Sequence, residues 1–203
     1  MKSIKGNVEL HDIEPYYKWR DFYTAEKDEK SPFYGREYSE FQFSKKIYNY
    51  FVHPQWDFYG SNTLCMKLLY ADYENGVALI ELLGEWNDCI TNDVMLLKRQ
   101  IADHLMTHGI NKFVFFCDNV LNYHSGDDDY YEEWREDAVD ENGWVCLVNL
   151  SDHVQDEMQN ARLQHYVLLG QSFNEMAWRG IHPKAIANEV ERRRDSVEKQ
   201  LDY

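Results

Sequence analysis

The residues best suited to chemistry lie in the run Tyr123-His124-Ser125-Gly126-Asp127-Asp128-Asp129. It joins an apolar, strand-like segment to an amphipathic one, and a strand-to-helix turn is where α/β folds place their chemistry. Ser125 stands three residues before Asp128, the capping-box spacing with Asp in place of the usual Glu. The turn therefore reads first as a capped helix start, with Asp127, Asp128 and Asp129 where the helix dipole is positive. A divalent cation would also want clustered carboxylates. Three consecutive aspartates on a helix point in different directions, however, and no EF-hand loop pattern surrounds them.

Other constellations are weaker. His104 and His108 form H-x-x-x-H, which could bind zinc, but Leu105 occupies the place of the general-base Glu. Histidine at a helix C-terminus is favoured by the dipole alone. Glu132-Glu133 and Glu136-Asp137 could be imagined as general acid and base; on so acidic a helix they read as a solvated face. The segment His53-Pro54-Gln55-Trp56-Asp57 is compact and could line a pocket or pin the N-terminal region to the core, with packing favoured for Trp56. No G-x-S-x-G, P-loop, G-x-G-x-x-G or catalytic Cys/His signature occurs. No metal and no cofactor are expected.

The elements that must position these residues alternate strand-like and helix-like from Asn75 to Gly170. Leu64–Tyr73 and Val77–Trp86 read as strands joined by Glu74-Asn75-Gly76, and Asn-Gly is a strong hairpin signal. Asn92–His108 reads as a helix with Val94, Leu97, Ile101 and Leu105 on one face and Gly109 as its stop. Lys112–Cys117 is a buried-type strand. Asp127–Asp140 follows as an acidic helix, Trp144–Leu150 as a strand, Ser151–Ala161 as a helix capped by Ser151, and His165–Leu169 as a last short strand. Upstream, Glu37–Phe43 and Ile47–Val52 suggest a β-hairpin, with a helix as the competing reading. Downstream, Pro183 opens a helix to about Gln200 whose stripe, Ile186, Val190, Val197 and Leu201, is thin. Strands joined by helical crossovers lie parallel in one sheet. The expectation is an α/β fold with a mostly parallel mixed sheet, an aromatic N-terminal extension (1–60), a core domain (61–170) and a C-terminal segment with its helix (171–203).

Composition narrows the job. The chain has 203 residues and a formal net charge of −15, which disfavours a nucleic-acid backbone and an anionic membrane surface as partners. Its 15 Tyr, 10 Phe and 6 Trp are spread so that about half precede Ser61, so the N-terminal third is not a disordered tail. The four cysteines, Cys65, Cys89, Cys117 and Cys146, form no C-x-x-C pair, and three lie in apolar runs as small hydrophobes. No signal-peptide core and no membrane-length apolar run is present, so a reduced cytoplasm is expected.

The stretch from Asn75 to about Gly170 resembles the STAS family of anti-sigma-factor antagonists and sulfate-transporter cytoplasmic domains. Val77-Ala78-Leu79-Ile80-Glu81-Leu82-Leu83-Gly84-Glu85-Trp86-Asn87 is similar to the family strand ending in Gly-Glu-Leu-Asp. Lys112–Val120 is similar to its central strand, and Trp144–Leu150 with Val154, Met158 and Leu163 to its next strand and helix. The resemblance implies a mixed sheet packed by helices and a non-enzymatic regulatory domain that binds a protein. The family's Asp-Ser-Ser-Gly turn falls on Tyr123, His124, Ser125 and Gly126, so His124 stands where the family has its phosphorylated serine. The expected role is thus a regulatory protein-binding module of a bacterial cytoplasm without the serine switch. Its binding residues would be Tyr123, His124, Ser125, Asp127, Asp128, Asp129, Tyr130, Trp134, His53 and Trp56, with a possible homodimer through the C-terminal helix. The rival is a small metal-binding protein or hydrolase using His124, Asp127–Asp129 and His53.

Overall fold

The computed structural model describes residues 13–201, with side chains to residue 197. A four-stranded sheet runs in the order β3 (Leu64–Asp72), β4 (Val77–Asn87), β5 (Lys112–His124), β6 (Trp144–Val148). β3 and β4 form an antiparallel hairpin, and β4–β5 and β5–β6 pair in parallel. The expected Asn-Gly turn is present: Gly76 takes a φ of 68°, and Asp72 accepts from the backbone N–H groups of Glu74 and Asn75. The mixed, mostly parallel α/β sheet is the expected fold class.

Two parallel crossovers need helices. The first is α1 (Asp93–Leu97), which passes through a π turn (Lys98–Ala102) into α2 (Asp103–Met106). Asn92 caps α1 by accepting from the Met95 N–H at 3.2 Å. The second crossover is α3 (Asp129–Asp140), and α4 (Asp152–Asn160) follows β6. Val94, Leu97, Ile101, Leu105, Tyr131, Trp134, Val154 and Met158 from these helices join Phe113, Phe115 and Cys117 of β5 in one core.

The alternate residues of β5, Val114 and Phe116, belong to a second core on the opposite face. That face is covered by the two ends of the chain: Trp19 from the N-terminal segment, Phe173, Met176 and Trp178 from the 171–180 loop, and Ile186, Ala187 and Val190 of α5 (Pro183–Leu201). Double coverage explains why β5 starts as an unbroken apolar run, since both faces of such a strand exclude water. A third, small cluster gathers Trp56, Ile47, Val52, Cys65 and Leu83.

Several expectations need correction. The upstream hairpin is confined to β1 (Lys46–Ile47) and β2 (Tyr50–Phe51). Glu37–Phe43 forms no ladder, because Ser39 Oγ captures the N–H groups of Phe41 and Gln42 in a local turn. β5 runs seven residues past Cys117, and α3 begins at Asp129 instead of Asp127. Ser151 occupies the N-cap position of α4 but makes no capping hydrogen bond; its hydroxyl pairs with His153. His165–Leu169 supplies one parallel bridge, Cys146 to Leu168, after a 3₁₀ turn at Leu163–His165. Of the stripe on α5, Ile186 and Val190 are buried against the chain's own sheet and Val197 is half-buried. The side chain of Leu201 lies outside the described residues. Among the described residues no helix is long and apolar enough to cross a membrane.

Candidate functional site

The C-terminal ends of β4 and β5 lie side by side, with Glu85 opposite Asn122, Trp86 opposite Tyr123 and Asn87 opposite His124. The chain leaving β4 stays attached there: the N–H groups of Asp88 and Cys89 both donate to the His124 carbonyl, at 2.9 and 3.2 Å. The turn after β5 is pressed against this loop so closely that a Cβ on Gly126 would meet the Asp88 carbonyl oxygen at 2.6 Å. Only glycine fits without displacing backbone.

Two buried carboxylates hold the loop. Asp88 accepts from the Tyr131 hydroxyl at 2.7 Å, the Val94 N–H at 2.8 Å and the Trp86 indole N–H at 3.0 Å. Burial pushes its carboxyl up to about 6 in spite of these donors. Asp93 accepts from the Asn87 N–H and the Thr91 hydroxyl, each at 2.8 Å. Their acceptor positions are taken up by structural donors, so they brace the loop.

The solvent side is built around Glu85. It accepts from the Tyr48 hydroxyl at 2.5 Å and from Asn122 Nδ2 at 3.1 Å, with His124 Nε2 3.6 Å away. The Tyr48 hydrogen bond is the main cause of the lowered pKa of Glu85. Tyr48 sits at the tip of the β1–β2 turn with a φ of 53°, so this bond tethers the hairpin to the strand ends. Next to it an open groove of about 520 Å³ is lined by Cys89, Tyr123, His124, Ser125, Glu157 and Asn160. Cys89 is the exposed member of the four cysteines.

The residues proposed from sequence are divided by this geometry. His124, Ser125, Asp127, Asp128 and Asp129 are exposed together, and Tyr130 is half-buried beside Arg99. His124 belongs to the strand, leaving Ser125–Asp128 as the turn. The capping box is absent: Asp128 takes the N-cap position without a side-chain cap, and its carboxylate accepts from the Tyr166 hydroxyl at 2.8 Å. Tyr123 is buried, although it edges the groove, and Trp134 is buried against Phe113 and Phe115. Neither offers the exposed aromatic face expected of it. Trp56 is fully buried, its indole donating to the Ile13 carbonyl at 2.7 Å. His53 packs edge-on against Phe43, and burial lowers its pKa. The groove that contains His124 does not include His53, and among the described residues no group of three or more His, Cys, Asp or Glu side chains could hold a metal ion. The metal constellation is therefore not assembled among the described residues.

His104 Nε2 donates to the Lys30 carbonyl (3.0 Å), and His108 Nδ1 to the His104 carbonyl (3.0 Å). Glu132 and Glu136 face solvent as expected. Glu133 and Asp137 also reach solvent, and with Asp103 they surround the ammonium of Lys98, which is 1% exposed. Burial alone would lower the Lys98 pKa, but hydrogen bonds to Asp103, Asp137 and Glu133 hold it above its ordinary value.

Three further charged positions went unread as buried charges: Glu81 in β4, Lys67 in β3, and Asp57, which pairs with Lys67. All three are buried. Each strand carried a signal, a single charge inside an otherwise apolar run, and a charge there must find a partner when both faces are covered.

No family model matches this chain, and no curated protein matches it by sequence. In fold, part of it is similar to a crystal structure from Thermotoga maritima provisionally assigned as an anti-sigma factor antagonist. The two share 16% identity over 50% of this chain and 83% of that one, with a TM-score of 0.38.

Proposed function

We propose that this protein is a non-enzymatic regulatory module that binds a basic segment of a protein partner at the C-terminal ends of β4 and β5. The observation that carries this reading is the hydrogen-bonded chain Tyr48–Glu85–Asn122. It fixes an aromatic hairpin beside an acidic turn. Tyr48, Tyr50 and Phe51 are 58%, 55% and 41% exposed, and Tyr is an effective interface anchor because it is large and has few rotatable bonds. Asp127 and Asp129 are exposed on and just after the turn that follows His124, and complement a positive partner. The buried carboxylates of the site are committed to bracing the loop, which supports recognition over bond-breaking. The likeness to an anti-sigma factor antagonist, and the STAS resemblance in sequence, are in keeping with this role.

A defined loss tests it. Affinity capture from the source cell, with wild-type protein and with Tyr48→Ala, is expected to show at least about a tenfold weaker retention of the specific partner by the variant, the range of an interface anchor. Asp127→Asn/Asp129→Asn should weaken capture further at low salt than at high salt, because exposed charges are screened. Equal retention by wild type and both variants, at unchanged unfolding midpoint, would overturn the proposal.

The serine switch is expected to be absent. Phosphate on Ser125 would add about −1.5 to −2 charge beside Asp127 and Asp128, in a groove also lined by Glu157. Intact-mass analysis of protein purified from the source cell should find Ser125 unmodified; stoichiometric phosphate there would refute this.

A further inference from the structure

Against the strongly negative chain, two cations, Arg36 and Lys45, line one cleft beside β3, and a third, Lys67, is buried behind the Tyr38 ring of its wall. Asp57 joins the β3 edge through paired backbone bonds with Met66, at 2.8 and 2.9 Å. Its carboxylate is fully buried and accepts at Oδ1 from Arg36 (2.9 Å) and the Tyr38 hydroxyl (2.6 Å). Lys67 lies 3.3 Å from Oδ2, buried beneath the Tyr38 ring at 3.7 Å. Lys45 completes the set, with its ammonium 4.9 Å from the Phe58 ring centroid. Among the described residues no carboxylate lies within ion-pair distance of Lys45. Arg36 and Lys45 line a cleft of about 400 Å³ together with one carboxylate, Glu37, while Asp57 and Lys67 are buried behind Arg36 and Tyr38.

We propose that this cleft binds a phosphate monoester. Arg36 commits one guanidinium nitrogen to Asp57 and keeps the rest of its planar donor set, 38% exposed, for the cleft. Ser39 Oγ already accepts two backbone N–H groups, from Gln42 at 2.8 Å and Phe41 at 3.2 Å, so its hydroxyl proton is free to donate outward. Ser44 and Gln42 add a hydroxyl and an amide at the same wall, and Lys45 adds a point charge. Donors on several sides suit a tetrahedral dianion better than a planar carboxylate. Phe58 and Pro54 supply an apolar wall for an organic remainder. Burial holds the Lys45 ammonium below its ordinary pKa, and a dianion at its head would reverse that. A nucleic-acid strand would bring its neighbouring phosphates against the acidic surface; a single phosphate would not. This site is independent of the protein-binding surface and would survive the failure of that proposal.

The test is an amide-resolved NMR titration of the full chain with three probes: inorganic phosphate, glycerol 3-phosphate and a blocked phosphoserine tripeptide. Saturable shifts at Arg36, Ser39, Gln42, Ser44 and Lys45 are expected. Lys45→Gln, whose side chain makes no hydrogen bond to another described residue, should weaken binding by about tenfold, the loss of one charge-assisted contact; Ser44→Ala should weaken it less. Tighter binding of the peptide would assign a phosphorylated protein as the source, and tighter binding of glycerol 3-phosphate a small metabolite. Absence of saturable shifts with all three probes, shifts centred elsewhere, or equal affinity in wild type and Lys45→Gln would overturn the assignment.

Discussion

Replacing Trp178 by alanine is expected to destabilise the protein by about 3–5 kcal/mol, the range for emptying a large buried aromatic site. Trp178 is 1% exposed and stacks on Phe116 of the central strand, with centroids 3.9 Å apart and planes 13° from parallel. Tyr16 and Trp19 pack on it edge-to-face at 5.1 and 5.4 Å. Its indole N–H donates to Asp118 at 2.9 Å. One ring therefore joins both ends of the chain to the sheet, and the cavity left behind could close only by moving three separate segments. Trp178→Phe should cost less, because it keeps the stack and loses the indole donor. Urea unfolding measures both. A loss below about 1 kcal/mol for alanine, no more than an ordinary substitution, would show that the second core contributes little. The Trp178→Ala/Trp19→Ala cycle should couple by about 0.5–1.5 kcal/mol, as aromatic pairs do.

The second large effect depends on pH. Glu81, 1% exposed in the middle of β4, accepts from the Tyr16 N–H at 2.8 Å and from Arg179 at 3.0 Å. Burial pushes its carboxyl from 4.5 up to about 7; the Tyr16 and Arg179 donors oppose this, and Asp118 adds to it. Between those two values the folded protein holds a proton that the unfolded chain has released. The stabilisation is complete below the unfolded value and is lost as pH rises through about 7. At about 1.36 kcal/mol per unit this amounts to on the order of 3 kcal/mol. Glu81→Gln keeps the shape and an acceptor oxygen but cannot ionise. The variant should therefore gain on wild type by that amount as pH rises from about 4.5 to about 8. Other titrating groups, Asp88 among them, act in both proteins and cancel in the difference. A wild-type-to-variant difference that stays constant across this range would show that Glu81 does not ionise within it.

Both effects involve the face of the sheet that the sequence reading left without a partner. The many aromatic residues before Ser61 implied an ordered N-terminal third, but nothing local could say that Trp19 would meet Phe116 and Trp178. The thin stripe on α5 suggested a second copy of the chain; two of its members, Ile186 and Val190, pack on the chain's own sheet. The end of β5 was missed for a local reason. β4 and β5 shift register between Glu81 and Leu83 and again between Gly84 and Glu85, which breaks the period of two. Asp118-Asn119-Val120-Leu121-Asn122-Tyr123-His124 therefore looks like a polar turn with scattered apolar residues, although Val120 and Tyr123 are buried as strand residues. The capping box fails because α3 starts at Asp129 with Asp128 as its N-cap, which leaves Ser125 in the preceding turn, too far back to cap it.

The amino-acid order by itself determined what depends on neighbours in the chain. The Asn75-Gly76 hairpin, the one-sided face of the helix after Asn92, the buried runs at Lys112 and Trp144, and the acidic solvated turn after β5 all follow from local turn chemistry and periodicity. Only the tertiary structure decided which charges lie inside. Asp57, Lys67, Glu81 and Lys98 acquire their partners from residues tens of positions away, as with Lys98 and Asp137 or Glu81 and Arg179. A buried charge is tolerated only where distant segments bring counter-charges and donors to it, and no local pattern encodes that arrangement.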